Sequence, residues 1–354
     1  MRIFCTTLAL LISLIATSPV QGIVNHIAQY YQTDYAIEEN HPSINDESFK
    51  KAVEVYYAAE FDEAIKLFSE IATDNEQDRI IRRDALHFLG RSYLAVRKGE
   101  KARTALEQLT ELEPPRIDID PDIESPQLLR LYYDVHKEKD GGYAYQDEEK
   151  KQTLAIVDFA NQSIDDHEKL QPLSKGFSSL MINQLNGATD LKVVERERIS
   201  WLLDELELQE DVSRVDRQTA VRAGRLLGAH MVLFGSYMKF GKTMNMSVRL
   251  VSVETGEILM TDQVQGKADK FFELAESLSL SITKSINVSL SDDELGVRNR
   301  ETRSLDALLS YSEGLDLLED RNYKAAFEKF LEAYDHDSTY KRAILKAKSI
   351  EPFI

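Results

Sequence analysis

The feature that most constrains the fold is the order of strand-like and helical patterns between Thr153 and Ile286. The run TLAIVDF (Thr153–Phe159) is apolar without alternation, which indicates an interior strand covered on both faces. Three strand-like runs between Met231 and Val264 follow later and are separated by short glycine turns. The order β-α-β-α-α-β-β-β-α predicts an α/β domain with α+β-like character, in which helices back a mixed sheet.

Several of the predicted elements carry clear patterns. Pro172 suits the first turn of a helix, and the buried stripe expected after it is Leu173, Phe177, Leu180, Met181 and Leu185. LKVVE (Leu191–Glu195) is the second predicted strand, and helical stripes follow around residues 199–206 and 220–227. In the run TMNMSVRL, apolar residues alternate with polar ones, which predicts a half-buried strand.

The central stretch also holds an ordered set of short motifs. They are Ala155-Ile156-Val157-Asp158-Phe159, Val193-Val194-Glu195-Arg196, Leu203, Glu205-Leu206, Gly228-Ala229, Gly235-Ser236, and Val253 with Thr255-Gly256-Glu257-Ile258-Leu259. In this order the set resembles the CsgG-like family, the curli production assembly/transport component. The resemblance implies the fold of the domain and a setting in the cell envelope.

The channel-forming members of that family are lipoproteins that insert long amphipathic hairpins to build a barrel. This chain has its single cysteine, Cys5, within the apolar N-terminal run, too early for lipidation. Its predicted turns at Gly241-Lys242 and Glu254–Glu257 are short, and four membrane strands would each need about 9–11 residues. These departures disfavour a curli-type secretion pore, which is kept as the alternative function.

Helical spacing on both sides of the central domain resembles the tetratricopeptide repeat. The N-terminal matches are Leu86, Leu89-Gly90, Tyr93, Ala102, Leu106 and Pro114, and the C-terminal ones are Gly314, Tyr323, Ala326, Phe330 and Ala333. The predicted division is a signal peptide at 1–22, a helical domain at 23–138, a linker at 139–151, the CsgG-like domain at 152–290, a linker at 291–303 and a helical hairpin at 304–354.

The N-terminal segment indicates export. Arg2 precedes an apolar run from Ile3 to Ile15, and small residues follow around Val20-Gln21-Gly22, as in a cleavable signal peptide. An uncleaved anchor is the other reading. Cleavage would leave a chain without cysteine, which excludes disulfides and thiolate chemistry. We expect a periplasmic or outer-membrane-associated protein without an integral membrane span.

The net charge of −18 and the pI near 4.9 argue against nucleic acid or anionic lipid as a main ligand. The acidic loop at Asp118, Asp120, Asp122 and Glu124 lacks the glycine and bidentate glutamate of an EF-hand, and is interpreted as solvated. A basic cluster near the end, Lys341, Arg342, Lys346 and Lys348, is interpreted as a solvated helix end, with contact to an acidic surface as the other reading.

No catalytic, cofactor-binding or metal-binding residue is assigned. The seven histidines lack metal-site spacing, and Phe240-Gly241-Lys242-Thr243 lacks the glycine and the strand-to-helix setting of a phosphate loop. We predict a non-enzymatic envelope scaffold or assembly protein that binds other envelope proteins, with homo-oligomerisation open. A third hypothesis places a hydrolase or transferase site in the loop Gln162–Leu170.

Overall fold

The computed structural model of the protein describes residues 42–113, 117, 119, 124–140, 152–186, 188, 191–194, 199, 224, 225, 227–288 and 301–354. The predicted signal peptide at 1–22 and most of the helices predicted at 199–206 and 220–227 lie outside these residues. The chain divides into two compact units, Met1–Ile117 and Asp118–Ile354. The domain boundaries predicted above come from sequence patterns, and this division into two compact units does not test them, so they stay a prediction.

The described part of the first unit is helical. Its elements are α1 (Pro42–Asn45), α2 (Glu47–Tyr57), α3 (Phe61–Thr73), α4 (Arg79–Ala95) and α5 (Gly99–Glu111). Phe68 and Phe88 stack at 5.1 Å between ring centroids, and Phe49 meets both rings edge-on. Asp84 is buried beside this cluster, where it accepts a hydrogen bond from Ser43 Oγ at 2.6 Å and pairs with Arg83. The unit therefore has its own aromatic core.

The second unit joins the α/β region and the C-terminal helices. Its elements are α6 (Pro126–Asp140), β1 (Gln152–Ile156), β2 (Ala160–Asn161), α7 (His167–Leu170), α8 (Leu173–Leu185), β3 (Leu191–Val193), β4 (Met231–Phe240), β5 (Thr243–Ser252), β6 (Ile258–Lys267), α9 (Phe271–Ser285), α10 (Leu305–Glu319), α11 (Tyr323–His336) and α12 (Lys341–Ile350). Short 3-10 turns lie at Ala268–Lys270 and Glu351–Phe353.

The sheet is mixed, as predicted. Its strand order is β3-β1-β4-β5-β6, with β2 also paired to β4. β1 runs parallel to β3 and β4, whereas β4, β5 and β6 form an antiparallel meander. The β4–β5 turn is the predicted two-residue hairpin, with Phe240 opposite Thr243 and Gly241 at a φ of +57°.

The interior position predicted for the first strand is confirmed. Leu154 and Ile156 point into the main core together with α8, α9 and the inner residues of β4 and β5. Ala155 and Val157 point into a second cluster on the opposite face of the sheet. A strand buried on both faces explains why its sequence shows no alternation.

The main core also includes the C-terminal helices. Leu308 and Leu309 of α10 belong to the same buried cluster as Phe177 of α8. The two helices approach closely at Gly176, where an added Cβ would lie 2.0 Å from Ser312 Oγ. The helices after residue 304 are thus an integral part of the α/β body rather than a separate arm.

Three helical hairpins, α2–α3, α4–α5 and α10–α11, share one turn. The second residue after the first helix is left-handed in each, with φ near 60°: Ala59, Arg97 and Arg321. Five residues later a fully buried alanine follows (Ala64, Ala102 and Ala326), and nine residues later a fully buried large side chain (Phe68, Leu106 and Phe330). One hairpin geometry is therefore used three times. Its assignment to the tetratricopeptide family stays a prediction.

Three structural details concern residues placed in the predicted linkers and in the C-terminal hairpin. Lys139 and Asp140, placed in the first linker, belong to α6. Glu301 and Thr302, placed in the second linker, are 7% and 1% exposed. A third helix, α12, lies within the range predicted as a hairpin, 304–354. The linkers were predicted from polar composition, which long-range ion pairs and hydrogen bonds can override.

Candidate interaction site

The loop Gln162–Leu170, where a catalytic site was the third hypothesis, is held against β4. Lys239 N donates to Ser163 Oγ at 3.1 Å, and Gly241 N donates to Asp165 Oδ2 at 3.0 Å. His167 Nδ1 lies 3.2 Å from the carbonyl oxygen of Ser163. These contacts give the loop's polar groups structural partners in turn and helix-entry positions.

Tyr237 of β4 anchors the end of the same loop. Its side chain is 1% exposed, and its hydroxyl donates to the Leu170 carbonyl oxygen at 2.6 Å. Burial raises the pKa of Tyr237 far above its ordinary value. The phenol therefore stays protonated and acts as a hydrogen-bond donor that fixes α7 to the sheet.

The basic cluster predicted at the end of the chain is not a solvated helix end. Arg342 and Lys346 are 5% and 1% exposed, so that interpretation is wrong for both residues. Arg342 Nη1 lies 2.9 Å from Glu301 Oε1 and 3.3 Å from the Ser179 carbonyl oxygen. Arg342 instead follows the other interpretation, because it contacts an acidic group of the protein's own chain.

Glu301 joins three elements through this contact. Its carboxylate accepts a hydrogen bond from Asn183 of α8 and pairs with Arg342 of α12, while Arg342 also lies over the Tyr311 ring of α10 at 5.6 Å. A buried ion pair of this kind is specific in geometry, because each partner needs the other to offset its desolvation.

A second ionic contact lies between α8 and α10. Lys175 Nζ is 2.6 Å from Asp316 Oδ1 and also contacts Glu319. Burial alone lowers the pKa of Lys175, but the carboxylates of Glu319 and Asp316 outweigh it, so the pKa is raised. The ammonium group therefore remains charged and helps to hold the C-terminal helices on the α/β region.

Asp337 directly follows α11 and contacts Thr302, which precedes α10. Its carboxylate accepts hydrogen bonds from Thr302 Oγ1 at 2.5 Å and from Thr339 N at 2.9 Å. Partial burial raises the pKa of Asp337, but the hydrogen bonds from Thr302 and Thr339 outweigh it, so the pKa lies below its usual range.

This depressed pKa predicts a loss of stability in acid. The contribution is present above the ordinary aspartate pKa of about 3.9 and disappears as the pH falls through the folded-state value. Asp337→Asn should therefore be less stable than the unmodified protein by under about 1 kcal/mol at pH 6, and this gap should narrow toward pH 3. Urea unfolding at both pH values measures it. A gap that stays constant, or one that Thr302→Val leaves unchanged, would contradict the assignment.

One large, mostly polar surface of the sheet is exposed among the described residues. The outer face, as we call it, comprises the side chains opposite the main core from the level of Phe234 to that of Phe240; at the next level Val232 and Val251 are buried. Its residues are Phe234, Ser236, Met238 and Phe240 of β4, Thr243, Asn245, Ser247 and Arg249 of β5, and Thr261, Gln263, Gln265 and Lys267 of β6. All are exposed or half-buried, and Phe240 is 62% exposed.

The charge of the outer face differs from that of the whole chain. It carries no carboxylate, although the chain has 61 Asp and Glu residues, and its two charged groups are Arg249 and Lys267. Asp262 of β6 points to the opposite face, level with Val248 and between Met260 and Val264. Sequence reasoning missed this surface because the register that collects its residues depends on both hairpin turns.

Neither a metal site nor a membrane-spanning helix is found in the described ranges. No group of three or more His, Cys, Asp and Glu side chains comes together there. In the same residues, no helix combines the length and apolar character needed to cross a bilayer. Asp118, Asp120 and Asp122 of the acidic loop lie outside the described residues, whereas Glu124 is buried.

Comparison with protein families gives one match. Residues 136–247 match the family model described as curli production assembly/transport component CsgG. This similarity to the CsgG family covers about a third of the chain. The match covers the region from the end of α6 to the middle of β5, so it confirms the resemblance for the motifs from Ala155 to Ser236, whereas Val253 and Thr255–Leu259 lie beyond it. No match to a curated protein was found for the chain.

Several solved structures are similar to part of the chain. The LpoB C-terminal domain from Salmonella enterica has 18% identity and a TM-score of 0.28, over 34% of this chain and 87% of that one. Lipoprotein GNA1162 from Neisseria meningitidis has 15% identity and a TM-score of 0.28, over 38% of this chain and 94% of that one. The PelC dodecamer from Paraburkholderia phytofirmans has 17% identity and a TM-score of 0.24, over 41% of this chain and 92% of that one. At these values the similarities do not by themselves identify a function.

Proposed function

We propose that this chain is a non-enzymatic scaffold or assembly protein of the cell envelope, which binds other proteins in secretion or surface-structure assembly. The observation that carries the proposal is the CsgG domain at residues 136–247. The predicted signal peptide supports a periplasmic or outer-membrane-associated location. In this role the protein acts by contact, and its buried polar groups serve the geometry of the binding surfaces.

The architecture of the second unit supports this role. Lys175 and Arg342 tie the C-terminal helices to the CsgG domain, so partner surfaces on the helices and on the sheet belong to one body. The outer face adds a broad area with exposed apolar side chains at its margins, including Phe240 and Leu259. Exposed apolar groups within a polar surface are typical of protein interaction sites.

Crosslinking in intact cells, followed by purification and mass spectrometry, tests the proposal. The full-length chain should recover an outer-membrane or secretion component reproducibly. A matched control is the same chain lacking residues 1–22, which should fractionate with the cytoplasm and lose that component. Recovery of no envelope protein by the full-length chain would overturn the proposal, and a detergent-stable ring with channel conductance would replace it with the secretion-pore alternative.

A further inference from the structure

We propose that β6 accepts an extended, acidic polypeptide segment of a partner protein as an additional strand of the sheet. The inference rests on the proposed role in protein binding, and it names the chemistry of one partner segment. A strand added at a sheet edge gains main-chain hydrogen bonds, while its alternate side chains give specificity.

The edge at β6 is long and accessible. β6 is the last strand in the order β3-β1-β4-β5-β6, and all of its described ladder partners lie in β5. It spans ten residues, and every second side chain from Thr261 to Lys267 is exposed. Alternate main-chain N–H and C=O groups of such a strand point away from its neighbour, toward any incoming chain.

The charges next to this edge select the partner. Arg249 and Lys267 are both exposed, and the described residues show neither in an ion pair. In a chain of net charge −18, two exposed cations on a face without carboxylates form a local site for an acidic group. An acidic segment would complement them.

The register gives the spacing of the acidic groups. Arg249 lies opposite Thr261, and Lys267 follows Thr261 by six residues along β6. Six residues of strand span about 20 Å, and an even separation keeps both side chains on one face. Thr261 is short, so the Arg249 side chain can extend across it toward the edge. The expected segment therefore carries acidic side chains at positions i and i+6.

A second copy of β6 does not supply this pattern. The single acidic residue of β6, Asp262, points to the opposite face, so antiparallel pairing of two β6 strands, which keeps the faces of both sheets on the same side, places no carboxylate next to Arg249 or Lys267. The favoured occupant is therefore an acidic segment of a different protein.

The test uses the full-length chain and fluorescent eleven-residue peptides of Thr, Val and Gln, with Glu at positions 3 and 9. Fluorescence anisotropy should show binding that weakens about tenfold in Arg249→Gln/Lys267→Gln. The matched control, Lys51→Gln/Lys284→Gln, removes the same charge elsewhere and should leave the affinity unchanged. Moving the second Glu to position 8, or methylating alternate peptide nitrogens, should also weaken binding. Hydrogen exchange should slow within residues 258–267 on binding.

Equal binding of the shifted and methylated peptides, protection outside β6, or no binding at millimolar concentration would overturn the inference. The crosslinking experiment separates this failure from failure of the proposed function. If Arg249→Gln/Lys267→Gln still recovers the envelope component while the peptides fail, the proposed function stands and the β6 site does not. A dimer that forms through β6 and that the double substitution leaves intact would show pairing with a second copy, and would also overturn the inference.

Discussion

Replacing Arg342 by alanine is expected to lower the free energy of unfolding of the second unit by about 3–5 kcal/mol. The substitution removes the guanidinium 2.9 Å from the carboxylate of Glu301, whose side chain is 1% exposed. A buried carboxylate that loses its cation keeps its desolvation penalty, which is the source of the large effect. Urea unfolding followed by circular dichroism measures the change.

The double variant Arg342→Met/Glu301→Leu gives the decisive comparison. Removing both charges leaves neither uncompensated, so we expect most of the lost stability to return. The control Lys66→Ala breaks an exposed pair with Glu63 and should change stability by less than about 1 kcal/mol. A double variant as unstable as Arg342→Ala would show that the packing of the Arg342 side chain, rather than the charge pair, carries the effect.

Replacing Phe177 by alanine is the second large effect, also about 3–5 kcal/mol. Phe177 of α8 is fully buried, and its ring centroid lies 4.9 Å from that of Tyr237 and 6.1 Å from that of Phe271. Loss of the ring leaves a cavity between α8, the sheet and α9, and the surrounding elements can collapse into it only in part. Thermal and urea unfolding both report the change.

Phe240 provides a control of the same residue type. It is 62% exposed at the β4–β5 turn, so Phe240→Ala should change the free energy of unfolding by no more than about 0.5 kcal/mol. Similar losses for the two variants would contradict the placement of Phe177 at the centre of the main core.

Local periodicity predicted the elements of the α/β region well. The stripe from Leu173 to Leu185 became α8 with the expected buried residues, and the alternation from Met244 to Leu250 became β5. These patterns succeed because burial on one side of an element repeats with its own period. The apolar first strand was equally readable, since both of its faces are covered.

Long-range polar contacts could not be predicted in the same way. Glu301 and Arg342 are separated by 41 residues and sit in segments whose composition is typical of exposed chain. They come together only in the folded chain, where α12 packs with α10 and α11, and no local pattern encodes that approach. The turns of the helical hairpins were hidden for another reason, because Ala59, Arg97 and Arg321 take a left-handed conformation that usually signals glycine.

The orientation of Asp262 bears on how this protein avoids aggregation. A ten-residue edge strand with exposed backbone is a template on which identical chains can stack into fibrils. In an in-register stack of β6 strands released from β5, Asp262 of each chain would lie about 4.8 Å from its copy, on the face that Met260 and Val264 make apolar. Repulsion between these carboxylates in a poorly hydrated layer opposes such growth. The edge can thus stay available to a foreign strand at high local concentration without seeding fibrils of its own.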